Sequence, residues 1–234
     1  FCKEAAQAGC SGGSNFTGDA DSGASWTVAY DSSTKEVYIA AMNTSNGGDV
    51  WMRKGSMAAP GDPVWTPSNG NLSFDMAISG TVVERADDQL ALALVESAGN
   101  KRLFLAAQTS DGSVRRFSFR WLTTGLTSTA FGNHTRSLVG QPQRWLALPF
   151  TTLGVVKAVL MRCYGASCRS YHIAFDGTAV VEETAVGLSL DLTNDDRSIS
   201  CSGAYRDEIT CVYADSVGNL LQRNWSDVNN WLPQ

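Results

Sequence analysis

Residues 209–225 read ITCVYADSVGNLLQRNW, and this stretch decides the fold. It holds a short, largely apolar run, 209–213, and a segment of mixed polarity, 220–225, on either side of a polar turn that ends in Gly218 and Asn219. Short apolar runs bounded by Asp, Gly and Asn predict two antiparallel strands joined by a tight turn. Helical periodicity is nearly absent from the rest of the chain, so the sequence predicts an all-β protein.

The same order of elements recurs four times along the 234 residues. Each unit has a first strand, a polar turn, a second strand, a glycine turn and a third, alternating strand. The first strands are 26–30, 90–94, 145–148 and 199–204, the second are 37–41, 102–107, 159–163 and 209–213, and the third start at 49, 113, 168 and 219. The turn glycines Gly48, Gly112, Gly165 and Gly218 are 64, 53 and 53 residues apart.

Repeats of this length with three or four strands are typical of β-propeller blades. A small sheet with two apolar faces buries both by stacking between neighbours, so we predict a β-propeller of four or more antiparallel blades. The units are approximately 25–88, 89–142, 143–197 and 198–234, in a single domain 1–234 that begins with a Cys/Gly/Ser-rich segment, 1–24. A β-sandwich is the alternative fold.

The charge balance argues against two classes of partner. The chain has 18 Lys and Arg against 23 Asp and Glu, a net charge of −5, and its basic residues form no run. Nucleic acids and anionic membranes both need clustered cations, so neither is expected as a partner. No apolar stretch is long enough to span a bilayer, so we expect no membrane insertion.

Sequons and cysteines predict a secreted protein. Five Asn-x-Ser/Thr sites, against roughly two expected by chance, are candidate glycosylation positions: Asn15, Asn43, Asn71, Asn133 and Asn224. The six cysteines fall into three close pairs: Cys2 with Cys10, Cys163 with Cys168, and Cys201 with Cys211. Fifteen connectivities are open to six cysteines, and we favour local pairing because the last two pairs flank apparent strand–turn–strand units. The start at Phe1 fits removal of a signal peptide.

The unit at 209–225, with Trp231 after it, resembles the repeat of fungal fucose-binding lectins of the Aleuria type. That repeat has a strand like I-R-V-Y-Y-Q, a D-x-x-G-N turn, an I-R-E strand and a closing Trp. The resemblance implies a propeller that holds sugar in pockets between blades. In this family an Arg at the start of the second strand and a Glu on the third bond the sugar hydroxyls, while an aromatic ring stacks on the sugar.

This sequence has only part of the family's set of sugar-binding residues. The Arg position reads Glu36, Arg102, Lys157 and Thr210, and the Glu position reads Met52, Arg116, Ser170 and Gln222. Only Arg102 keeps the type, and no carboxylate stands at the Glu position. Either the specificity differs from that of the family, or the sites are degenerate.

Five residues are candidate sugar contacts. We expect a surviving site around Arg102, Arg116 and Trp121, which share one unit. Trp51 beside Arg53, and Trp121 beside Arg120, are expected to face outward, whereas Trp65 and Trp231 are expected to wedge between sheets. Gln222 retains a hydroxyl-binding amide at the Glu position.

The residues argue against catalysis. Gly9-Cys-Ser11-Gly-Gly13 fits the G-x-S-x-G pattern but has no strand before it. The acidic pairs Asp87-Asp88, Glu182-Glu183 and Asp195-Asp196 are adjacent in sequence, so on a strand their members point to opposite faces. No cysteine or carboxylate stands near a His at metal-site spacing, so no cofactor or metal is expected.

The sequence therefore predicts a secreted, non-catalytic glycoprotein that recognises glycans or glycoproteins between blades. The alternative is a structural or interaction component of an extracellular surface or filament that has degenerate sugar sites and can self-associate. A glycoside hydrolase is the third hypothesis.

Overall fold

The computed structural model describes residues 26–42, 49–57, 64–67, 72–76, 82–83, 90–110, 115–138, 143–164, 167–182, 186–187, 199–205, 208–214, 219–226 and 230–233. Within these residues the regular structure consists of β-strands in four antiparallel sheets. No helix there is long and apolar enough to cross a membrane. The four turn glycines of the sequence repeat lie outside the described residues.

Sheet 1 contains β1 Trp26–Asp31, β2 Glu36–Met42, β3 Asp49–Ser56, β4 Val64–Thr66 and β5 Leu72–Asp75. Sheet 2 contains β6 Val82–Val83, β7 Leu90–Ser97, β8 Asn100–Ser110, β9 Arg115–Thr123 and β10 Ser128–Leu138. Sheet 3 contains β11 Gln143–Thr152, β12 Val155–Tyr164, β13 Ser167–Ala174, β14 Val180–Glu182 and β15 Val186–Gly187. Sheet 4 contains β16 Ile199–Tyr205, β17 Glu208–Ala214, β18 Leu220–Ser226 and β19 Asn230–Pro233. β6 precedes residue 88, where the sequence places the end of the first unit, but it pairs with β8 in sheet 2.

Two hairpins show how local sequence sets the strand register. Ser97 pairs with Asn100, and Thr152 pairs with Val155, so each hairpin has a two-residue loop. The loop residues all have positive φ, at 49° and 79° for Ala98 and Gly99 and at 47° and 75° for Leu153 and Gly154. Two successive positive φ angles match the right-handed twist of the flanking strands, and glycine supplies the second one without strain.

The first long strand of each sheet lies next to the corresponding strand of the next sheet. β1 packs against β7, β7 against β11, and β11 against β16. Three apolar clusters fill the spaces between sheets 1 and 2, sheets 2 and 3, and sheets 3 and 4. Sheets stacked side by side around their first strands form a β-propeller, so the predicted fold class is confirmed and the sandwich alternative is wrong.

Strand β7 is apolar at every position from Leu90 to Val95, and the packing of its two faces explains why. Leu90 and Leu92 belong to the cluster against sheet 1, whereas Ala91 and Ala93 belong to the cluster against sheet 3. Successive side chains of a strand point to opposite faces, so a strand covered on both sides has no polar face.

Both described disulfides lie in the junction between sheets 3 and 4. Cys163 bonds to Cys168 across β12 and β13, and Cys201 bonds to Cys211 across β16 and β17, as local pairing predicts. All four cysteines pack in the same cluster. The sheets also approach closely here, since a Cβ on Gly203 would clash with the backbone carbonyl oxygen of Pro149 in β11.

The third predicted disulfide, between Cys2 and Cys10, is not among the disulfides of the described residues. Cys10 and its expected partner Cys2 both belong to the segment 1–24, which lies outside those residues. The pairing of Cys2 with Cys10 therefore stays a prediction, whereas the other two pairings are confirmed.

An ion pair joins sheets 1 and 2 at the end where β1 turns into β2. Lys101 Nζ lies 2.6 Å from Asp31 Oδ2 and 2.5 Å from Ser33 Oγ, and Asp31 is only 3% exposed. Burial raises the pKa of Asp31, but hydrogen bonds donated by Lys101 and Ser33 outweigh burial and hold that pKa well below its ordinary value. The carboxylate is therefore charged in the fold and is matched by a cation from the next sheet.

We expect Asp31→Asn to lower the free energy of unfolding by about 2 kcal/mol near neutral pH, because Lys101 would lose its partner at a largely buried site. Because the folded pKa is depressed, the stabilisation by Asp31 is complete above the ordinary carboxyl pKa of 3.8 and is lost as pH falls towards the folded pKa. Urea denaturation at pH 7 and pH 3 measures both effects.

Glu96→Gln is the matched control for this ion pair. Glu96 is 57% exposed and lies 4.0 Å from the same lysine, so its loss should cost less than about 0.5 kcal/mol. Equal costs for the two variants would contradict the role assigned to Asp31.

We expect the double variant Cys201→Ala with Cys211→Ala to lower the free energy of unfolding by about 2–3 kcal/mol, because a short loop loses its cross-link in the unfolded chain. In the native wild type both disulfides should resist a reductant, since Cys163, Cys168 and Cys211 are at most 1% exposed and Cys201 is partly buried. Alkylation followed by mass spectrometry checks this. Rapid labelling of the folded protein would show that the sheet 3–4 junction opens.

Candidate functional site

The candidate site lies between sheets 2 and 3 and is centred on Arg102 at the start of β8. Nε of Arg102 lies 3.9 Å from Oδ2 of Asp176, a residue that follows the end of β13 in sheet 3. One terminal nitrogen donates a hydrogen bond to the Lys101 carbonyl oxygen at 3.1 Å, and the guanidinium carbon lies 5.9 Å from the centroid of the Phe175 ring. The side chains of Arg102 and Asp176 are 24% and 35% exposed, so solvent reaches part of each side chain, while Nε of Arg102 itself is buried.

A tight turn after β13 positions Phe175 and Asp176. The Phe175 amide donates to the Val156 carbonyl oxygen at 3.0 Å, and the Gly177 amide donates to the Ala174 carbonyl oxygen at 2.8 Å. Asp176 has a φ of 55°, a left-handed conformation that Asp adopts more readily than most residues. The turn therefore presents the ring and the carboxylate side by side towards sheet 2.

Sheet 2 holds this turn from the other side. Trp121 donates from its indole Nε1 to the Gly177 carbonyl oxygen at 2.9 Å. Thr129 Oγ1 bonds to Asp176 Oδ1 and, at 3.2 Å, to the Trp121 carbonyl oxygen. The carboxylate of Asp176 is thus fixed by a hydroxyl on one oxygen while its other oxygen faces Arg102.

Trp121 does not face outward, and this expectation was wrong. Its side chain is 0% exposed and packs against Phe104 at 5.1 Å and Phe175 at 5.5 Å between ring centroids. Alternation along β9 explains the error: Trp121 points into the sheet 2–3 junction, while Arg120 points towards sheet 1 and donates from Nε to the Asp75 carbonyl oxygen at 2.8 Å. Trp121 packs against Phe175 inside the junction, and its buried ring is not available for stacking on a sugar.

Arg102 and Arg116 do not form one cluster, which corrects a second expectation. Arg102 pairs with Thr123, and Arg116 pairs with Thr109, so the two arginines stand at opposite ends of the β8–β9 ladder. The two pairs are seven residue positions apart along β8, or about 23 Å. The odd separation also places the two side chains on opposite faces of sheet 2.

The other two candidate contacts lie on other sheets. Trp51 is partly buried in the middle of β3 in sheet 1. Gln222 is exposed on β18 in sheet 4, where its Nε2 donates to Asn224 Oδ1 at 3.3 Å. Their roles in sugar binding stay predictions. Trp65 is partly buried with the Arg53 guanidinium 5.5 Å from its ring, and the side chain of Trp231 lies outside the described residues.

Glu36, the residue at the family's Arg position in the first unit, has its own partners. Its carboxylate bonds to Lys54 Nζ at 2.7 Å and accepts from the Tyr38 hydroxyl at 2.7 Å. Burial raises the pKa of Glu36, but these bonds outweigh burial and lower that pKa below its ordinary value. Sheet 1 therefore has an internal ion pair at the position where sheet 2 has Arg102.

Sequence reasoning missed Phe175 and Asp176. The Asp176-Gly177 dipeptide after an alternating strand is a recognisable turn signal. The signal gives no information about which residue the turn faces, because Arg102 belongs to another sheet and is far away in the chain. Among the described residues, no group of three or more His, Cys, Asp or Glu is arranged to hold a metal ion.

Two solved structures of a lectin from Aleuria aurantia are similar to this chain. One is a mutant of the lectin in complex with alpha-methyl-L-fucoside; it is 11% identical, with a TM-score of 0.52, and the match covers 90% of this chain and 62% of that one. The other is described as a six-bladed β-propeller with a novel fucose recognition mode; it is 10% identical, with a TM-score of 0.51 and the same coverage.

This chain thus spans less than two thirds of the length of the lectin chains that it matches. No protein-family model and no curated protein matches the sequence. At this identity the likeness concerns the fold, and it confirms the resemblance noted in residues 209–225 at that level. The chain has a β-propeller fold similar to that of the Aleuria aurantia lectin.

Proposed function

We propose that this chain is a non-catalytic, lectin-like protein that binds a neutral carbohydrate at the junction between sheets 2 and 3. The observation that carries the proposal is the grouping of Arg102, Asp176 and Phe175 at this junction, with both charged groups partly open to solvent. The fold likeness to a lectin supports the proposal.

The chemistry of these three side chains suits a sugar. A guanidinium offers several N–H donors, and a carboxylate offers several acceptor sites. A sugar hydroxyl both accepts and donates, so the guanidinium can donate to hydroxyl oxygens while the carboxylate accepts from hydroxyl groups. Charged partners make such bonds stronger than neutral ones do. An aromatic ring beside them provides apolar surface for the C–H face of a sugar.

Asp176 also provides a carboxylate, which the family's Glu position lacks in this chain. The third strand of sheet 2 has Arg116 at that position, but the turn after β13 brings a carboxylate to Arg102 from the neighbouring sheet. The proposed site therefore combines a cation from one sheet with a carboxylate and a ring from the next. A different source of the carboxylate implies a sugar specificity different from that of the lectin.

The proposed protein is secreted and glycosylated. Disulfides persist in oxidising compartments, and two of them lie in the sheet 3–4 junction. Asn133 is exposed on β10, whereas Asn224 is partly buried on β18 and donates from Nδ2 to Glu208 Oε2 at 3.5 Å. Of the two, Asn133 is the more accessible acceptor. Asn15, Asn43 and Asn71 lie outside the described residues.

A structural or interaction role is the second candidate, favoured by a specific observation. Large apolar side chains are exposed on sheet 1, including Trp26 and Tyr30 at 60% and 50%. Glycoside hydrolysis is less well supported, because it uses two carboxylates that flank one sugar and the contacts around Arg102 supply one, Asp176.

A glycan array of enzymatically deglycosylated protein, with free sugar as competitor, tests the carbohydrate proposal. We expect a competed signal that Arg102→Ala and Asp176→Asn each weaken by about tenfold or more, because a charged hydrogen-bond partner is lost. Thermal melts of both variants check that the proteins are folded.

Arg116→Ala is the matched control for the array. It removes the same residue type from the same sheet, at the opposite end of the strands, and should leave binding unchanged. A blank array would contradict the carbohydrate proposal. Equal losses for Arg102→Ala and Arg116→Ala would contradict the placement of the site.

A further inference from the structure

The turn after β13 contains two neighbouring residues that can react with each other. Asp176 is followed directly by Gly177, and the chain has one other Asp-Gly pair, Asp111-Gly112, which lies outside the described residues. In such a pair the glycine nitrogen can attack the side-chain carboxyl carbon of the aspartate, because glycine has no side chain to shield its amide. The pair at 176–177 is therefore a candidate for spontaneous isomerisation to isoaspartate.

Isomerisation takes two steps, and water is the only co-reactant. In the first step a bond forms between Gly177 N and Asp176 Cγ, and the amide proton and the hydroxyl of the protonated carboxyl group leave as water. In the second step water adds to the main-chain carbonyl carbon of the cyclic imide, and the bond from that carbon to Gly177 N breaks. The chain then runs through the former side chain of Asp176, and the mass of the protein is unchanged.

The turn needs these two residue types for conformational reasons. Asp176 has a φ of 55°, a left-handed conformation that Asp tolerates better than most residues. A Cβ on Gly177 would lie 3.1 Å from the Ala174 carbonyl oxygen, the same oxygen that accepts a hydrogen bond from the Gly177 amide at 2.8 Å. A side chain at position 177 would crowd the bond that closes the turn. The fold thus uses a chemically labile pair, so protection against isomerisation must come from the surroundings.

Gly177 is anchored through both of its backbone polar groups. Its amide donates to the Ala174 carbonyl oxygen, and its own carbonyl oxygen accepts from Trp121 Nε1 at 2.9 Å. Trp121 is 0% exposed and belongs to sheet 2, so this anchor crosses the junction between sheets 2 and 3. The two bonds hold the glycine in one orientation, and the N–H that must lose its proton during attack is already paired.

The Asp176 carboxylate is held by sheet 2 as well. Thr129 Oγ1 bonds to its Oδ1, and Arg102 Nε lies 3.9 Å from its Oδ2. Ring closure turns the carboxyl carbon onto the Gly177 nitrogen and removes one carboxyl oxygen, so the carboxylate has to leave these partners first. Of the two partners Thr129 matters more, because a direct hydrogen bond to a charged oxygen is stronger than an ion pair at the limit of contact between partly exposed groups.

We infer that Asp176-Gly177 is an isomerisation site that Thr129 suppresses in the folded protein. Without the Thr129 hydroxyl the carboxylate is free to rotate, and Asp176 converts to isoaspartate. Isoaspartate adds a methylene group to the backbone of the turn, so the product no longer presents a carboxylate to Arg102. The resulting loss of carbohydrate binding rests on the proposed function, whereas the isomerisation itself does not.

Peptide mapping of the full chain after prolonged incubation near neutral pH measures the isomerisation. Electron-transfer fragmentation distinguishes isoaspartate from aspartate at each Asp-Gly pair, although their masses are equal. We expect Asp176 in the native wild type to isomerise at least about tenfold more slowly than in the urea-unfolded chain, where the turn and its contacts are absent. Thr129→Val should raise the native rate by about fivefold or more, because the carboxylate loses a hydrogen bond. In urea the two proteins should react at equal rates.

Matched variants and an internal reference control this measurement. Thr129→Ser keeps the hydroxyl and should keep the wild-type rate. Thr127→Val makes the same change two residues earlier, where the hydrogen bonds to Thr123 use the backbone groups of Thr127, and it should have no effect. Asp111 is the internal reference, and Thr129→Val should not change its rate. Thr129 is exposed on β10, so Thr129→Val should keep the wild-type melting temperature.

The glycan array separates this inference from the proposed function. If fresh wild type gives a competed signal, incubated Thr129→Val should lose signal in proportion to its isoaspartate content at residue 176. An undiminished signal from isomerised protein would contradict the consequence assigned to binding. A blank array with fresh wild type would contradict the proposed function, and the isomerisation rates would still test the inference.

Three outcomes of the peptide mapping would overturn the inference. Equal rates at Asp176 in the native and the urea-unfolded wild type would mean that the fold gives no protection. An unchanged rate in Thr129→Val would assign the protection to the backbone bonds of Gly177 instead. Equal acceleration at Asp176 and Asp111 in that variant would show a loss of overall stability and not a local effect.

Discussion

The fold depends on the burial of strands on both of their faces. β7 shows the constraint most clearly, because its even-numbered leucines enter the cluster against sheet 1 and its odd-numbered residues enter the cluster against sheet 3. A sheet that contains such a strand is not stable alone, since one apolar face would stay in water. Packing on two neighbours satisfies both faces, so the junctions between sheets hold the cores, the described disulfides and the candidate site.

Polar groups are placed at the edges of the same junctions by the alternation of strand residues. Lys101 and Arg102 are consecutive on β8, so they point to opposite neighbours: Lys101 bonds to Asp31 of sheet 1, and Arg102 faces Asp176 of sheet 3. The two pairs differ in burial, because Asp31 is 3% exposed and Asp176 is 35% exposed. The buried pair stabilises the fold, whereas the side chains of the second pair are partly exposed to solvent.

Much of the architecture could be predicted from the residues. The positions of the long strands follow from short apolar runs between turn residues, and both described disulfides join cysteines that stand opposite each other on adjacent strands. The candidate site could be predicted only in part. Arg102 stood out because it keeps the family's residue type, but Trp121 was placed outward and Arg116 was grouped with Arg102. Both errors come from treating proximity along a unit as proximity in space.

The sequence by itself determined the class of fold, the repeat and the two local cysteine pairs of sheets 3 and 4, because these depend on periodicity and on contacts within one hairpin. Only the tertiary structure decided which residues meet between sheets. Asp176 reaches Arg102, and Trp121 is covered, because of how one sheet lies against the next. Such contacts join distant parts of the chain, and no local pattern in a single sequence specifies them.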